Sequence, residues 1–514
     1  MTARILSLAV TALLGALSLK AQWNVNPPDA VLPDWRAGVP RVIHPDSSLT
    51  RLYERAWDIA AGRVRRGPDG MVASPYLDEN CYDDQIWIWD ACFMVMFSKY
   101  APDIFPGKET LLNLYAPIHD GAPSPLRIHW RDNPPLFAWI ERLNYTFTGD
   151  TAHIDGILRD KRYLQRHYEW FNNLVTGERN EAVSPNAIAI GVVRDNKGEI
   201  IGFKWNPWAS GMDNTTRGHL HGGWKNMLWV DAICQQALAA ENIAKLCVLR
   251  GLTDEAAKWR REYDRLRDVI NARYWDETDG FYYDIDADSG EPCRVMTTAS
   301  YWAMAAGVPD SIRAARMVSR LRQPDVFGGE HPWNSLSRRD EGYDSITGEY
   351  WRGGIWLPQV YMGTKALERY GYKELADSLA RQIVEMQARV YDNYEPHTIW
   401  ECYNPNADGP STEYGQVCRQ EFCGWSALGP ISLMIENLLG FRDADALTRT
   451  LTWDLDHDNG RHGIERLRFG DITTSLLYDP ATGTVTVTSD APYTLRLNGR
   501  DYAVKAGTAV ISPA

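Results

Sequence analysis

Met227-Leu228-Trp229-Val230-Asp231-Ala232-Ile233-Cys234-Gln235-Gln236-Ala237-Leu238-Ala239-Ala240-Glu241-Asn242-Ile243-Ala244-Lys245-Leu246-Cys247-Val248-Leu249-Arg250 is the stretch on which the fold turns. Its apolar residues recur at threes and fours, the period of a helix. They cover more than one side, as on an inner helix packed on several faces. The same period marks Leu52–Arg65, Trp87–Lys99, Leu136–Thr148, Ile154–Val175 and Glu255–Tyr274. It continues in Ser311–Leu321, Ile355–Tyr370, Lys373–Val390 and Trp425–Leu439. Gly or Pro sits at many of the ends. Weaker candidates near Leu111 and Thr298 bring the count to roughly twelve helices. A two-layered helical ring is the expectation over residues 22–440.

The connections Gly67–Gln85, Gly177–Gly223, Gln323–Gly354 and Asp392–Gly424 are longer than a compact domain ordinarily carries. Loops of that length tend to be functional, and these concentrate Trp, Asp, Glu and Arg. After residue 441 the texture changes. Ile464–Leu467, Thr473–Tyr478, Thr484–Thr488 and Tyr493–Leu497 are β-branched or alternate, with turns at Asp479-Pro480 and Asn498-Gly499. A small antiparallel β domain over residues 441–514 is expected, with no catalytic cluster in it.

At the other end, Arg4 precedes the apolar run Ile5–Leu19 and Lys20-Ala21-Gln22. That is the pattern of a secretory signal over residues 1–21, too short for a membrane span. Export, to a periplasm or the exterior, is the expectation, with no membrane insertion of the mature chain. An oxidising compartment permits disulfides. The 8 cysteines, Cys81, Cys92, Cys234, Cys247, Cys293, Cys402, Cys418 and Cys423, form no CxxC pair or other zinc spacing. Few bridges and no thiolate metal site are expected. The balance of 54 Lys+Arg against 67 Asp+Glu, net −13, argues against nucleic acid or an anionic membrane as partner. With 21 Trp and 25 Tyr the chain is rich in rings that can stack on sugar C–H faces, although most must be core.

Five clusters carry candidate chemistry, and each also has an ordinary structural explanation. In Asp84-Gln85-Ile86-Trp87-Ile88-Trp89-Asp90, Asp90 enters a helix's first turn and either caps it or grips a ligand beside Trp89. His129-Trp130-Arg131-Asp132-Asn133-Pro134-Pro135 opens a helix with ordinary Pro chemistry, and Asn133 can equally reach a ligand. In Trp205 to Arg217, Asp213 follows a Trp-rich stretch and Gly211 allows a tight backbone. An acid against an aromatic wall can stay protonated, while an Asx-turn is the plainer reading. Tyr350-Trp351-Arg352-Gly353-Gly354-Ile355-Trp356 sets a guanidinium fork beside two glycines, and Arg352 is otherwise a surface residue. Thr398 to Pro405 and Arg419 to Ser426 place Glu401 and Glu421 among aromatics. Either Glu can deprotonate water, and a buried Glu tied to an Arg is the alternative. Acids beside Trp or Tyr in successive loops together fit glycoside hydrolysis. That reaction needs one acid on the leaving oxygen and a second carboxylate on the opposite ring face, about 6.5–9.5 Å away if it activates water directly.

These residues, in this order, resemble the inverting (α/α)₆-barrel glycosidases. Glycoside hydrolase family 63 with its mannosylglycerate-hydrolase-like branch is nearest, and family 37 trehalases are more distant. The resemblance covers Leu52–Leu439 and rests on Trp89-Asp90, Asn133-Pro134-Pro135, Ser210-Gly211-Met212-Asp213-Asn214, Tyr350-Trp351-Arg352-Gly353, Trp400-Glu401-Cys402-Tyr403-Asn404-Pro405 and Gly424-Trp425-Ser426. It implies a six-hairpin helical toroid, Asp213 as general acid and Glu401 as general base. It also implies Trp89, Asp90, Asn133, Arg217, Arg352, Trp356, Glu421 and Trp425 around the first sugar. Relatives often carry Gln at Asn133 and Ser-Pro at Thr215-Thr216, departures that bear on the substrate. No cofactor is required; some relatives hold a structural calcium ion, for which no residues here stand out.

The expected activity is exo-acting, inverting hydrolysis of a terminal α-linked sugar, an α-glucoside foremost. Trehalose or a mannosyl- or glucosylglycerate is the nearest alternative substrate. A glycan-binding protein without turnover, and a lyase or phosphorylase on a similar barrel, are the other classes.

Overall fold

The computed structural model describes residues 32, 35–67, 69–79, 85–128, 133–173, 191–218 and 226–513. The expected signal segment, Cys81, Asp84 and His129–Asp132 lie outside them. Six helical segments, Ile88–Ser98, Phe137–Thr148, Val230–Leu249, Trp302–Ala305, Leu357–Arg369 and Gly429–Leu438, touch in that order, and the last returns to the first. Helices Gly107–Asp120, Tyr163–Phe171, Thr253–Arg273, Lys373–Asn393 and Ser47–Ala61 pack against this ring or one another. Burial separates the layers. Every residue of Ile88–Ser98 is buried, whereas Thr253–Arg273 buries only Ala256, Trp259, Tyr263, Leu266 and Ile270. An inner helix must be apolar all round, and an outer one needs a single stripe.

The inner segments share a direction. Trp87, Asn133, Trp356 and Trp425, at or just before their N-terminal ends, line one cavity. Lys99, Phe147, Lys245, Arg369 and Glu436, near their C-terminal ends, line another. Partial positive charge from the helix N-termini therefore gathers on the first cavity's side.

Three helices differ from the sequence expectation. The Ile154–Val175 helix passes from Thr151–Asp155 into a π-helical Gly156–Asp160, and Arg162, at a left-handed φ of 53°, separates this from Tyr163–Phe171. Trp425–Leu439 is 3₁₀ over Ser426–Leu428 and π-helical over Gly429–Leu438. Met227–Leu228 is strand, and helix starts only at Val230, whose N–H donates to Asp284 Oδ1 at 2.8 Å.

The C-terminal unit holds more strands than the sequence pattern shows. A four-stranded sheet orders Phe441–Asp445, Thr450–Trp453, Tyr493–Leu497 and Arg500–Val504. Its Thr450–Trp453 and Tyr493–Leu497 strands are parallel, so the unit is not purely antiparallel. A five-stranded sheet orders Arg41–Ile43, His462–Phe469, Ile472–Asp479, Thr484–Ser489 and Gly507–Ile511. Arg41–Ile43 precedes the helical ring in sequence, so this sheet is not confined to residues 441–514. Another sheet, of Pro292–Cys293, Asp284–Asp286, Met227–Leu228, Ile200–Lys204 and Gly191–Arg194, arises from the connections between helices. None of the helices among the described residues is long and apolar enough to cross a membrane.

Candidate active site

The N-terminal cavity has a volume of about 190 Å³ and is lined by Trp87, Trp89, Asp90, Asn133, Trp208, Gly211, Asp213, Tyr350, Trp351, Trp356, Glu401, Arg419 and Trp425. Asp213 and Glu401, 188 positions apart in the chain, thus share one pocket.

Local chemistry fixes the turn that carries Asp213. Asn206 caps the short Pro207–Ser210 helix, its side chain accepting from Ala209 N at 2.8 Å. Gly211 ends it with φ at 77°, where an added Cβ would come within 3.1 Å of the Trp89 ring. Left-handed backbone and close ring contact together call for glycine. The Asn214 side chain then ties the turn to the neighbouring loop, accepting from Trp351 N at 2.7 Å and donating to Glu349 O at 3.1 Å.

Around Asp213 the described residues offer its carboxyl no hydrogen bond. Burial, followed by the nearby carboxylates Glu413 and Glu401, pushes its pKa up to about 7 against an opposing pull from Arg419. A carboxyl surrounded by protein and by other acids takes up a proton to avoid an uncompensated charge. Glu401, in contrast, is held as an acceptor. Its Oε1 receives Arg419 Nη1 at 2.5 Å and Tyr350 Oη at 2.8 Å, and Arg419 N stands 3.3 Å from Oε2. Its own carbonyl receives Trp425 Nε1 at 2.8 Å and Ser426 Oγ at 3.0 Å, which locks the backbone behind the carboxylate. Tyr350 reaches Glu401 from a φ of 60°, a strained setting for a ring residue. Bonds from Trp356 Nε1, at 3.1 Å, and from Gly354 N, at 3.0 Å, to the Tyr350 carbonyl hold it there.

The walls are aromatic. Trp351 and Trp356 stack at 4.0 Å with 4° between planes, and Trp425 leans on Trp356 at 5.6 Å. Asp90 lies in the first turn of Ile88–Ser98; burial, then Glu401 and Asp213, raise its pKa well above the usual carboxylate range. Asn133 donates to Ala209 O at 3.0 Å and leaves Oδ1 buried without a partner among the described residues.

Three residues expected at the substrate do not line this cavity. Arg217 is fully buried, bonded through two nitrogens each to Asp231 (2.7 and 2.8 Å) and Asp284 (2.8 and 2.6 Å), with Trp229 beneath at 4.3 Å. Nearby buried carboxylates capture a guanidinium before any ligand arrives. Arg352 donates to Gly342 O at 3.0 Å and holds its own loop. Glu421 pairs with Arg55 at 2.9 Å and Arg63 at 3.7 Å. Glu421→Gln is therefore expected to change kcat less than several-fold, which steady-state kinetics checks. The sequence reading also passed over contributors. Tyr350, Trp351 and Arg419 stand inside motifs it quoted, but their neighbours were chosen. Glu413, 3.5 Å from Arg419 and raised to about 7 by burial and by Glu401 and Glu349, gave no signal in its loop.

The second cavity has a volume of about 600 Å³. Its most enclosed acid, Glu436, is bound by Lys99, Lys365, Tyr100 and Tyr361. Among the described residues no group of three or more His, Cys, Asp or Glu side chains is placed to hold a metal ion.

A model of the mannosylglycerate hydrolase MGH1-like glycoside hydrolase domain matches residues 54–426. The chain belongs to this family. The matched span takes in every residue lining the candidate pocket and five of the six ring segments, with Gly429–Leu438 just beyond it. A mannosylglycerate hydrolase of Rubrobacter radiotolerans is 29% identical over 179 residues, 34% of this chain and 39% of that enzyme. A probable mannosyl-oligosaccharide glucosidase of Schizosaccharomyces pombe is 25% identical over 423 residues, 70% of this chain and 49% of its own. The chain therefore spans less than half of either enzyme's length. The solved family 63 mannosylglycerate hydrolase of Thermus thermophilus, in complex with glucose, superposes with a TM-score of 0.54 at 17% identity. It covers 74% of this chain and 99% of its own, and shows the MGH1-like domain to share that enzyme's fold.

Proposed function

We propose that this MGH1-like protein is an exo-acting, inverting glycosidase that removes a terminal α-linked sugar, with α-glucosides as the preferred class. Asp213 gives its proton to the glycosidic oxygen. Glu401 takes a proton from a water, whose oxygen attacks the anomeric carbon from the opposite face. The reading rests on one observation: a single cavity holds a carboxyl pushed towards its protonated form beside a carboxylate fixed by Arg and Tyr donors. Two acids with environments that separate their tasks are what acid–base hydrolysis requires. The ring of six inner segments supports the (α/α)₆ toroid. The cavity's volume, roughly that of six waters at ~30 Å³ each, suits one terminal ring rather than a chain. Trp89, Asp90, Asn133, Trp356 and Trp425 are the residues proposed to hold that ring. The chemistry runs on protein side chains and water. Export remains part of the proposal.

Trehalose and mannosyl- or glucosylglycerate are the alternative substrates, the last favoured by the Rubrobacter relative. A glycerate carboxylate calls for a cation with donors to spare. Arg419, the cation lining the pocket among the described residues, already spans Glu401 and Glu413. That favours an uncharged leaving group. Monosaccharide release from aryl α-glucosides, α-linked glucose disaccharides, trehalose and mannosylglycerate tests the reading. Neutral α-glucosides are expected to be turned over fastest; turnover of none of the four would reject it.

The acid's proton also sets a pH limb. Asp213 must be protonated, so kcat is expected to fall as pH rises through about 7. A kcat–pH profile of the full chain checks this, and Asp213→Asn should erase the limb.

A further inference from the structure

We propose that Cys402 and Cys418 form a disulfide site that staples the loop between them beneath the candidate pocket. The two cysteines follow Glu401 and precede Arg419. Trp400 pairs with Gln420 in antiparallel register, and Glu401 N donates to Arg419 O at 2.9 Å. Beyond that pair both cysteines bond one residue: Ser411 N donates to Cys402 O at 3.2 Å, and Cys418 N donates to Ser411 O at 3.1 Å. Contact agrees: the Cys418 thiol donates to the Cys402 carbonyl oxygen at 3.1 Å. That contact sets the two cysteines on neighbouring segments, and a disulfide spans Cα separations of about 4.4–6.8 Å. Bond formation therefore needs little backbone movement. In the structure both are free thiols, as are the other described cysteines, Cys92, Cys234, Cys247, Cys293 and Cys423.

Position gives the bond a consequence. The enclosed loop, residues 403–417, carries Glu413 and the Thr412–Glu413/Gln416–Val417 hairpin, with Tyr414 at its exposed tip. Its two legs carry Glu401 and Arg419, whose ion pair the cross-link would hold in register. Closing a loop of this size restricts the unfolded chain and raises stability. The reaction is a thiol–disulfide exchange with a small-molecule disulfide such as oxidised glutathione. One cysteine thiolate attacks a glutathione sulfur, expelling glutathione thiolate. The second cysteine thiolate then attacks the mixed disulfide at the first cysteine's sulfur and expels the other. Two protein thiols lose two protons and two electrons, and the oxidant becomes two thiols.

The test refolds the full chain in buffers of graded reduced-to-oxidised glutathione ratio and maps cysteines by non-reducing peptide mass spectrometry. The expected result is a Cys402–Cys418 link as the dominant pairing, with a thermal midpoint that rises on oxidation and returns with dithiothreitol. The rise should vanish in Cys402→Ser and in Cys418→Ser, while both variants keep the reduced chain's activity. Free thiols at both positions under oxidised glutathione, a different dominant pairing, or a midpoint rise that survives either substitution would overturn the proposal.

Discussion

Asp213→Asn lowers kcat by about 10²–10⁴-fold and at the same time makes the protein more stable at neutral and alkaline pH. The loss follows from removing the proton donor; positioned acid–base catalysis is worth about that range. The gain follows from the same environment that prepares the acid. Burial and the Glu413 and Glu401 carboxylates raise the Asp213 pKa from 3.8 to about 7 in the folded chain. Between those values the folded protein holds a proton that the unfolded chain has released. Stability therefore declines as pH rises from about 4 to about 7, and the full cost persists above. Asparagine is nearly isosteric and carries no charge, so it escapes that cost. Thermal melts of both proteins at pH 5 and pH 8 should show a larger gain for the variant at the higher pH. Unchanged kcat would remove Asp213 from the acid role, and equal midpoint gaps at both pH values would reject the origin given for its pKa.

The second large effect concerns stability. Arg217→Met leaves Asp231 and Asp284 facing each other, 1% and 3% exposed, without their shared cation. Removing one partner of a buried ion pair costs about 3–5 kcal/mol, because the stranded charge has lost its solvent. Two stranded carboxylates put the loss at the upper end. Urea unfolding should show it, and a change under about 1 kcal/mol would contradict the description. Arg217 also links the Asp213 segment to Val230, through Asp284, at the start of an inner helix. The variant should therefore lose activity through displacement of the Asp213 turn.

The helical ring was legible because inner helices such as Ile88–Ser98 must be apolar on all sides, a pattern visible without coordinates. The strands in the connections were not. Met227–Leu228 and Pro292–Cys293 contain two residues each and exist only through pairing with distant segments. Asp213, Glu401 and the tryptophans beside them stood out as acids next to large rings. Arg217 and Arg352 stand away from the described cavity for one physical reason. Which acceptor an arginine meets is decided by the tertiary neighbourhood, here Asp284 and the Gly342 carbonyl, and no local motif encodes that. Glu413 was silent for the same cause, since it approaches Asp213 and Arg419 only once its hairpin has folded over them.

Direct attack by water between two carboxyls leaves a stereochemical record in the product. Proton NMR of the sugar released from an α-glycoside substrate, recorded before mutarotation equilibrates the anomers, reads that record. The account predicts β-configured sugar as the first product. Release of the α-anomer first would mean a covalent intermediate on the enzyme, and would contradict the assignment of Glu401 as a base acting on water.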